Sequence, residues 1–368
     1  GHGQMKKTGQ KTDYVMKYFS VIRIISAIAI ALLIVFAIIF MVSDQPVFAI
    51  RKLVLGPLET KRSFFNVLER AVPLIFSGLA LNIILRSGVF SIAADGSFYM
   101  GAVVATAMAV KIQLPNIVHQ CALILVAAIV GGLISMLPII FEKYTRVNAT
   151  VLSIMFNSIF YYVGYSIVSA YLLEKTGQWG SSYFLDTARL GNLIKGTSMN
   201  WGFVIMIATV FFVVFLMEKT SFGYKVRVTG INSAFAKNAG IKTGKVILTA
   251  SFISGLIAGM GGAVEMVGMY KRFQWQTSVN YVWDGLMVHM LANENPYFIP
   301  VTAFFIAYLR IGAEIMSRAT DLDNEIVAFL QCIVILLVGA ERFLAVIKKR
   351  KEQKNALLQA QEASEKEV

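Results

Sequence analysis

Residues Ile24 to Val42 form a run of nineteen without a single charged side chain. At 1.5 Å per residue such a helix is roughly 29 Å long, the thickness of one hydrocarbon core. Lipid offers no partner to backbone N–H and C=O groups, so a segment that crosses it closes its hydrogen bonds internally, as a helix. The run is longer than the apolar core of a signal peptide. Ser43-Asp44-Gln45-Pro46 follows it, with no small-x-small cleavage pattern, so it reads as a retained helix. Nine further spans are expected, at about 71–85, 98–112, 121–141, 150–173, 201–217, 246–269, 285–292, 297–315 and 326–340. The second and the eighth of the ten in chain order, 71–85 and 285–292, are too short to cross alone and run into Gly and polar residues. They read as broken or re-entrant helices lining a cavity, and their matching places in the two halves suggest an inverted repeat.

Composition agrees. Hydrophobic residues make up 57% and charged residues 15%, against about 25% charge in a soluble domain. The expected fold class is therefore an all-α polytopic membrane protein with about ten transmembrane helices. A net charge of +13 would point to nucleic acid in a soluble chain. Here the charges cluster between spans, which is the positive-inside pattern, and no nucleic-acid partner is expected. Residues 5–23 carry five Lys/Arg, the loop 218–245 six, and 342–354 six. All three fall on one side of a ten-span count, which makes that side, and both termini, cytoplasmic. The loop 43–70 is also basic yet would lie outside, unless it forms an amphipathic surface helix. Gly1–Gln4 precede Met5 and read as a vector remnant. The remaining layout is a cytoplasmic N-terminus (5–23), a membrane domain (24–341) with an external loop at about 174–200, and a polar cytoplasmic tail (342–368). Cys121 and Cys332 lie in apolar runs and are expected to be buried thiols. The three histidines are scattered, and no metal or cofactor is expected.

The run from Gly240 to Val246 has the glycines and lysine of a phosphate loop at the wrong spacing, with Val246 where Ser or Thr is needed. With no other nucleotide or nucleophile motif, the chain is expected to lack its own ATPase and catalytic residues. Five polar interruptions remain. Arg86, Gly88, Ser91, Asp95 and Gly96 separate two apolar runs. Asn157 lies inside the apolar stretch 150–173, where an amide needs a partner. The loop 220–241 is basic and bracketed by glycines; Asn232 can cap a short helix and Gly240 can end it. Gly255 and Gly259 form a small-xxx-small pair ahead of Glu265, a carboxylate in an apolar run. Trp283-Asp284-Gly285 with His289 precedes Asn293-Glu294-Asn295-Pro296.

In that order these motifs resemble the inner-membrane permeases of bacterial ABC importers of the ribose and branched-chain amino acid type, most of all the nucleoside (guanosine-type) subgroup. The family pattern R-x-G-x-x-N-I-G-x-E-G-Q appears as Arg86, Gly88, Ser91, Ile92, Ala93, Asp95, Gly96 and Ser97. N-E-V-x-x-T-x-M-L-N appears as Asn148, Ala149, Thr150, Ser153, Met155, Phe156 and Asn157. The segment that couples to the ATPase is carried by Thr220, Gly223, Arg227, Gly230, Asn232, Ala236 (one position off), Ala239, Gly240 and Ile241. Ser254 to Gly262 keeps the family's S-G-x-x-A-G-x-x-G. The resemblance spans about 64–345. It implies a multi-pass subunit of the bacterial inner membrane that pairs with a second homologous permease, with two ATP-binding subunits and with an external substrate-binding lipoprotein, besides membrane lipid. A neutral nucleoside calls for amides and aromatic faces, so Asn157, Phe156, Tyr161 and Trp283 are expected to line the pathway. Asp95 and Glu265 are expected beside them, chiefly holding the broken backbone. The alternatives are an ion-coupled secondary transporter using Asp95 and Glu265, or a permease for sugar, branched-chain amino acid or flavin.

Overall fold

The computed structural model describes residues 33–174, 179–194, 196–320 and 332–333. The first part of the 24–42 span, the N-terminal layout, the 326–340 span and the polar tail lie outside the described residues. Twelve α-helices follow in order among the described residues: α1 (Leu33–Val42), α2 (Pro46–Glu59), α3 (Lys61–Leu85), α4 (Ala94–Lys111), α5 (Asn116–Thr145), α6 (Ala149–Ile167), α7 (Gly202–Lys219), α8 (Ser221–Ile231), α9 (Ser233–Asn238), α10 (Thr243–Met269), α11 (Tyr281–Leu291) and α12 (Ile299–Ala319). A π-helical turn, Val168–Leu172, extends α6. The described residues contain only two isolated β-bridges, so the all-α class holds.

Six of these helices are long and apolar enough to cross a membrane: α3, α5, α6 with its π turn, α7, α10 and α12. The ten-span count is thus met only approximately. The 71–85 segment is not a short broken helix. It is the second half of α3, a 25-residue helix whose N-cap Thr60 accepts a hydrogen bond from the Ser63 N–H. The sequence pattern hid it because the preceding turns carry Asn66, Glu69 and Arg70, and Glu69 is buried by protein rather than exposed to lipid. The 98–112 segment is α4. It is surrounded by α3, α5, α6, α10 and α11 and need not match lipid, so it can open on Asp95-Gly96-Ser97. The 285–292 segment is α11, only eleven residues long and too short to cross a membrane alone. The basic 43–70 loop does contain a helix, α2, with Val47, Leu55 and Leu58 exposed.

The chain divides into two compact units. The smaller joins residues up to Gly56 with those from Gly312 on; there Gly56 packs on Ile315. The larger, Pro57–Ile311, is built around α10, which packs on α5, α4 and α3. Small residues allow the close approach. A methyl group added at Gly101 would lie 2.7 Å from the Gly259 Cα, and one added at Gly131 would lie 2.8 Å from the same atom. The small-xxx-small pair therefore serves packing. Where backbones meet this closely, polar side chains tie them: Ser97 donates to the Gly131 carbonyl (2.8 Å) and Ser251 to the Ser135 carbonyl (2.5 Å).

The described residues of the 174–200 stretch form a folded cap on the larger unit. The Ser181 N–H donates to the Phe273 carbonyl (3.0 Å) and the Phe273 N–H to Ser181 Oγ (2.9 Å). Gln120 and His119 of α5 bond the same cap at Arg189 and Thr187. Cys121 and Cys332 are exposed, which corrects the expectation of buried thiols. An apolar run in a membrane chain has an apolar outside, so hydrophobic context does not imply a protein interior.

Candidate functional site

The break between α3 and α4 is the first site feature. After Leu85 the chain turns at Arg86–Gly88, where Gly88 has φ +84°, and runs without helix or strand through Ile92 to a turn at Ala93. Those backbone groups have no strand partner. Three side chains one and two turns apart on a single face of α6 supply the bonds. Thr150 Oγ1 donates to the Phe90 carbonyl (2.6 Å), the Ile92 N–H donates to Ser153 Oγ (3.1 Å), and Asn157 Nδ2 donates to the Ile92 carbonyl (2.9 Å). Asn157 Oδ1 then accepts from the Gly96 N–H (3.0 Å), in the first turn of α4. The α6 helix begins at Asn148, whose side chain caps the Thr150 N–H (2.8 Å). Asn157 thus spends its amide on the broken backbone, the task expected of Asp95 and Glu265.

Asp95 instead meets side chains. The Ser278 hydroxyl lies within hydrogen-bonding reach of both Asp95 and the Tyr161 phenol, and the Tyr161 ring packs 4.4 Å from that of Tyr99. Phe156 packs between Phe141 (5.3 Å) and Phe160 (6.1 Å). The structure therefore brings Asn157, Asp95 and Tyr161 together around the start of α4, with Phe156 on the neighbouring face of α6. Glu265 and Trp283 are not part of that group. Glu265 is buried and accepts from the Tyr281 hydroxyl (3.0 Å), which itself accepts from Arg70 (3.3 Å). Glu69 sits near it and accepts from Asn200 (3.3 Å). Trp283 is 41% exposed on α11. Sequence reasoning missed Glu69, Arg70 and Tyr281. Their signal was the i, i+3, i+4 spacing of Asn66, Glu69 and Arg70, which marks one helix face. It also missed the bidentate pair between Arg310 and Asp284 (2.6 and 2.7 Å).

The second feature lies at the other end of the break. Asn232 ends α8 and caps α9, accepting from the Phe235 N–H (2.9 Å), and Gly240, with φ +82°, terminates the segment. The α8 helix is locked to the break from two directions. Glu218 bridges Arg86 and Arg227, both at 2.7 Å, and Arg227 also donates to the Met217 carbonyl (2.9 Å). Gly230 lies on the Arg86–Gly88 turn so closely that a methyl group there would lie 3.0 Å from the Gly88 nitrogen and inside the contact distance of the Arg86 carbonyl. Two motifs read separately in the sequence are one junction. Glu218 was not singled out, although it is the only acid in a loop with six basic residues. Beyond the junction, Ala236 is buried, Ala239 and Gly240 are exposed, Ile241 is partly covered, and Ile231 and Phe235 stand 86% and 62% exposed. Among the described residues no group of three or more His, Cys, Asp or Glu is placed to hold a metal.

Known proteins share this arrangement of sequence. The family described as branched-chain amino acid transport system / permease component matches residues 63–339. The glucose ABC transporter permease protein TsgB13 of Haloferax volcanii is 27% identical over 315 residues, covering 81% of this chain and 82% of its own length. The guanosine ABC transporter permease protein NupP of Bacillus subtilis is 26% identical over 295 residues, covering 79% and 85%. The nucleoside ABC transporter permease protein NupB of Lactococcus lactis is 21% identical over 314 residues, covering 82% and 86%. These matches run through the break, the α6 ladder, the α8–α9 junction and the glycine-packed α10. This multi-pass membrane chain accordingly belongs to the branched-chain amino acid transport system permease component family and is an ABC transporter permease.

Proposed function

We propose that this chain forms one half of the pathway of an ATP-driven nucleoside importer in a bacterial inner membrane, with both termini cytoplasmic. In this reading it carries no ATPase site. It works with two ATP-binding subunits, a second homologous permease and an external substrate-binding lipoprotein. Support for the substrate class comes from the guanosine and nucleoside permeases among the relatives. The pathway residues are Tyr161, Asp95 and Phe156, with Trp283 from α11 and Glu265 from α10, and Asn157 as the clamp that sets the shape of the backbone. Arg227, Gly230, Asn232, Ala236, Ala239, Gly240 and Ile241 form the segment that receives the ATPase.

The observation that carries the reading is the junction at Glu218. An exposed apolar pair, Ile231 and Phe235, sits on a short helical unit that is bolted to the turn opening the α3–α4 break. A push on α9 therefore reaches the backbone held by Asn157 through rigid contacts. Such a link lets ATP-driven closure bias two states of the pathway. The test is purification of this chain with an ATP-binding subunit encoded beside it, comparing wild type with Phe235→Asp. Phe235 is exposed, so this change spares the fold, whereas a charge at buried Ala236 or at left-handed Gly240 would not. Loss of the ATPase from the Phe235→Asp complex is expected. Retention of a stimulated ATPase would remove the segment's role. The glucose permease relative favours a second reading, a sugar pathway. Uptake of labelled guanosine and glucose by the reconstituted complex separates the two.

A further inference from the structure

The α5 and α10 helices touch at Gly131 and Gly255, and again at Ser135 and Ser251. Beyond that level they part. Toward the end of α5 and the start of α10 they enclose a wedge of about 850 Å³, within the range of ligand-sized cavities. Ile140 from α5, and Ile247 and Leu248 from α10, form its apolar walls. Lys143, Lys237, Lys242 and Lys245 line its mouth, all exposed. Among the described residues none of these four lysines has an ion-pair partner. The one acid in the wall, Glu142, accepts from the Ala149 N–H (3.1 Å), and four lysines outnumber it. Gly240 and Gly244 have nothing within 4 Å in the direction of a side chain, so the mouth is open.

We propose that this wedge holds an anionic phospholipid, its phosphate among the four lysines and its acyl chains along Ile140, Ile247 and Leu248. The charge is complementary to a headgroup, and the apolar walls belong to two helices that cross the bilayer. Basic recesses between spanning helices at the level of the headgroups have this chemistry in general. A soluble anion would use the lysines but not the apolar walls. An acidic protein surface would use the lysines but could not enter between two helices below the headgroup level. The wedge adjoins α9, so an occupant there would also brace the segment proposed to receive the ATPase.

The test is a titration of the purified full chain with phosphatidylglycerol, followed by native mass spectrometry, with phosphatidylcholine and glycerol phosphate as comparators. Phosphatidylglycerol is expected to bind in preference to both. Replacing Lys143, Lys242 and Lys245 together with Ala should weaken it about 100-fold, roughly fivefold per lysine. Leu248→Trp fills the wedge and keeps the lysines; it should also weaken phosphatidylglycerol. If the triple variant is not monodisperse, Lys242→Ala alone should still show the fivefold loss. Unchanged phosphatidylglycerol binding in the lysine variants would overturn the proposal. So would equal binding of glycerol phosphate, which would make the site one for free anions. Unchanged lipid binding with loss of the ATP-binding subunit would assign the lysines to a partner protein.

Discussion

The α6 and α7 helices are equally uncovered: only 28% of the most apolar stretch of each is buried within the chain. Their open faces differ in kind. On α7, short of its terminal Lys219, the exposed large side chains are Val204, Ile207, Phe211, Phe212 and Phe215, all purely apolar. On α6, Ser158, Tyr162, Tyr165 and Ser166 are exposed among aliphatic residues. Ser158 returns its hydroxyl to the Ile154 carbonyl (3.4 Å), but the Tyr162 and Tyr165 side chains are exposed, and a hydroxyl left in hydrocarbon without a partner is costly, so the two faces suit different surroundings. The α7 face fits lipid. The α6 face, whose reverse side holds the α3–α4 break, fits protein or a wet pathway. Low burial within one chain therefore says little until the chemistry of the open face is read.

The largest effect is expected where α6 holds the break. Asn157→Leu strands the Gly96 N–H, a buried backbone donor, at about 1–3 kcal/mol, and leaves the Ile92 carbonyl with only the Asp95 N–H. A thermal midpoint well below wild type and loss of uptake should follow. The matching α7 change, Thr209→Val, removes only a bond to the Ile205 carbonyl of its own helix and should move stability by less than about 0.5 kcal/mol. Equal losses from both would erase the contrast.

A charge probes the same contrast from outside. Phe211→Lys on α7 should lower membrane insertion by about 3 kcal/mol, read as a fall in the inserted fraction. Tyr162→Lys on α6 should insert nearly as well as wild type; parity between the two variants would show that α7 is no more lipid-bound than α6. Smaller still, Tyr162→Leu should reduce solute uptake roughly tenfold, the worth of one hydrogen bond of about 1.4 kcal/mol, while Phe211→Leu leaves it unchanged. The finest test leaves function intact. With Cys121 and Cys332 replaced by Ser, a cysteine substituted for Ser158 should react with a water-soluble maleimide, and one substituted for Phe212 should not. The reverse order would exchange the two faces.

Much of this was readable before any coordinates. The helical class, the α5, α6, α7 and α10 spans, the Asn232 cap and the Gly240 stop all follow from local patterns. The α3 boundary did not, because Glu69 and Arg70 look like loop residues when their burial partners, Asn200 and Tyr281, are more than a hundred positions away. Asn157 was recognisable as a polar residue needing a partner. Which partner it takes was not, since an amide serves a solute and a broken backbone equally well. Glu218 stood out only by its sign among cations.

What the sequence determined on its own is where most of the long apolar helices lie, α3 apart, because each crossing segment must close its own hydrogen bonds and carry an apolar outside; that is a property of about twenty consecutive residues. What the tertiary structure decided is which way each crossing helix faces. A helix apolar all round shows little of the one-sided pattern that points inward in soluble proteins. Direction is set instead by glycine contacts such as Gly101 with Gly259, and by a few long-range polar bonds at Asn157 and Glu218. Those contacts join residues far apart in the chain, so no local window contains them.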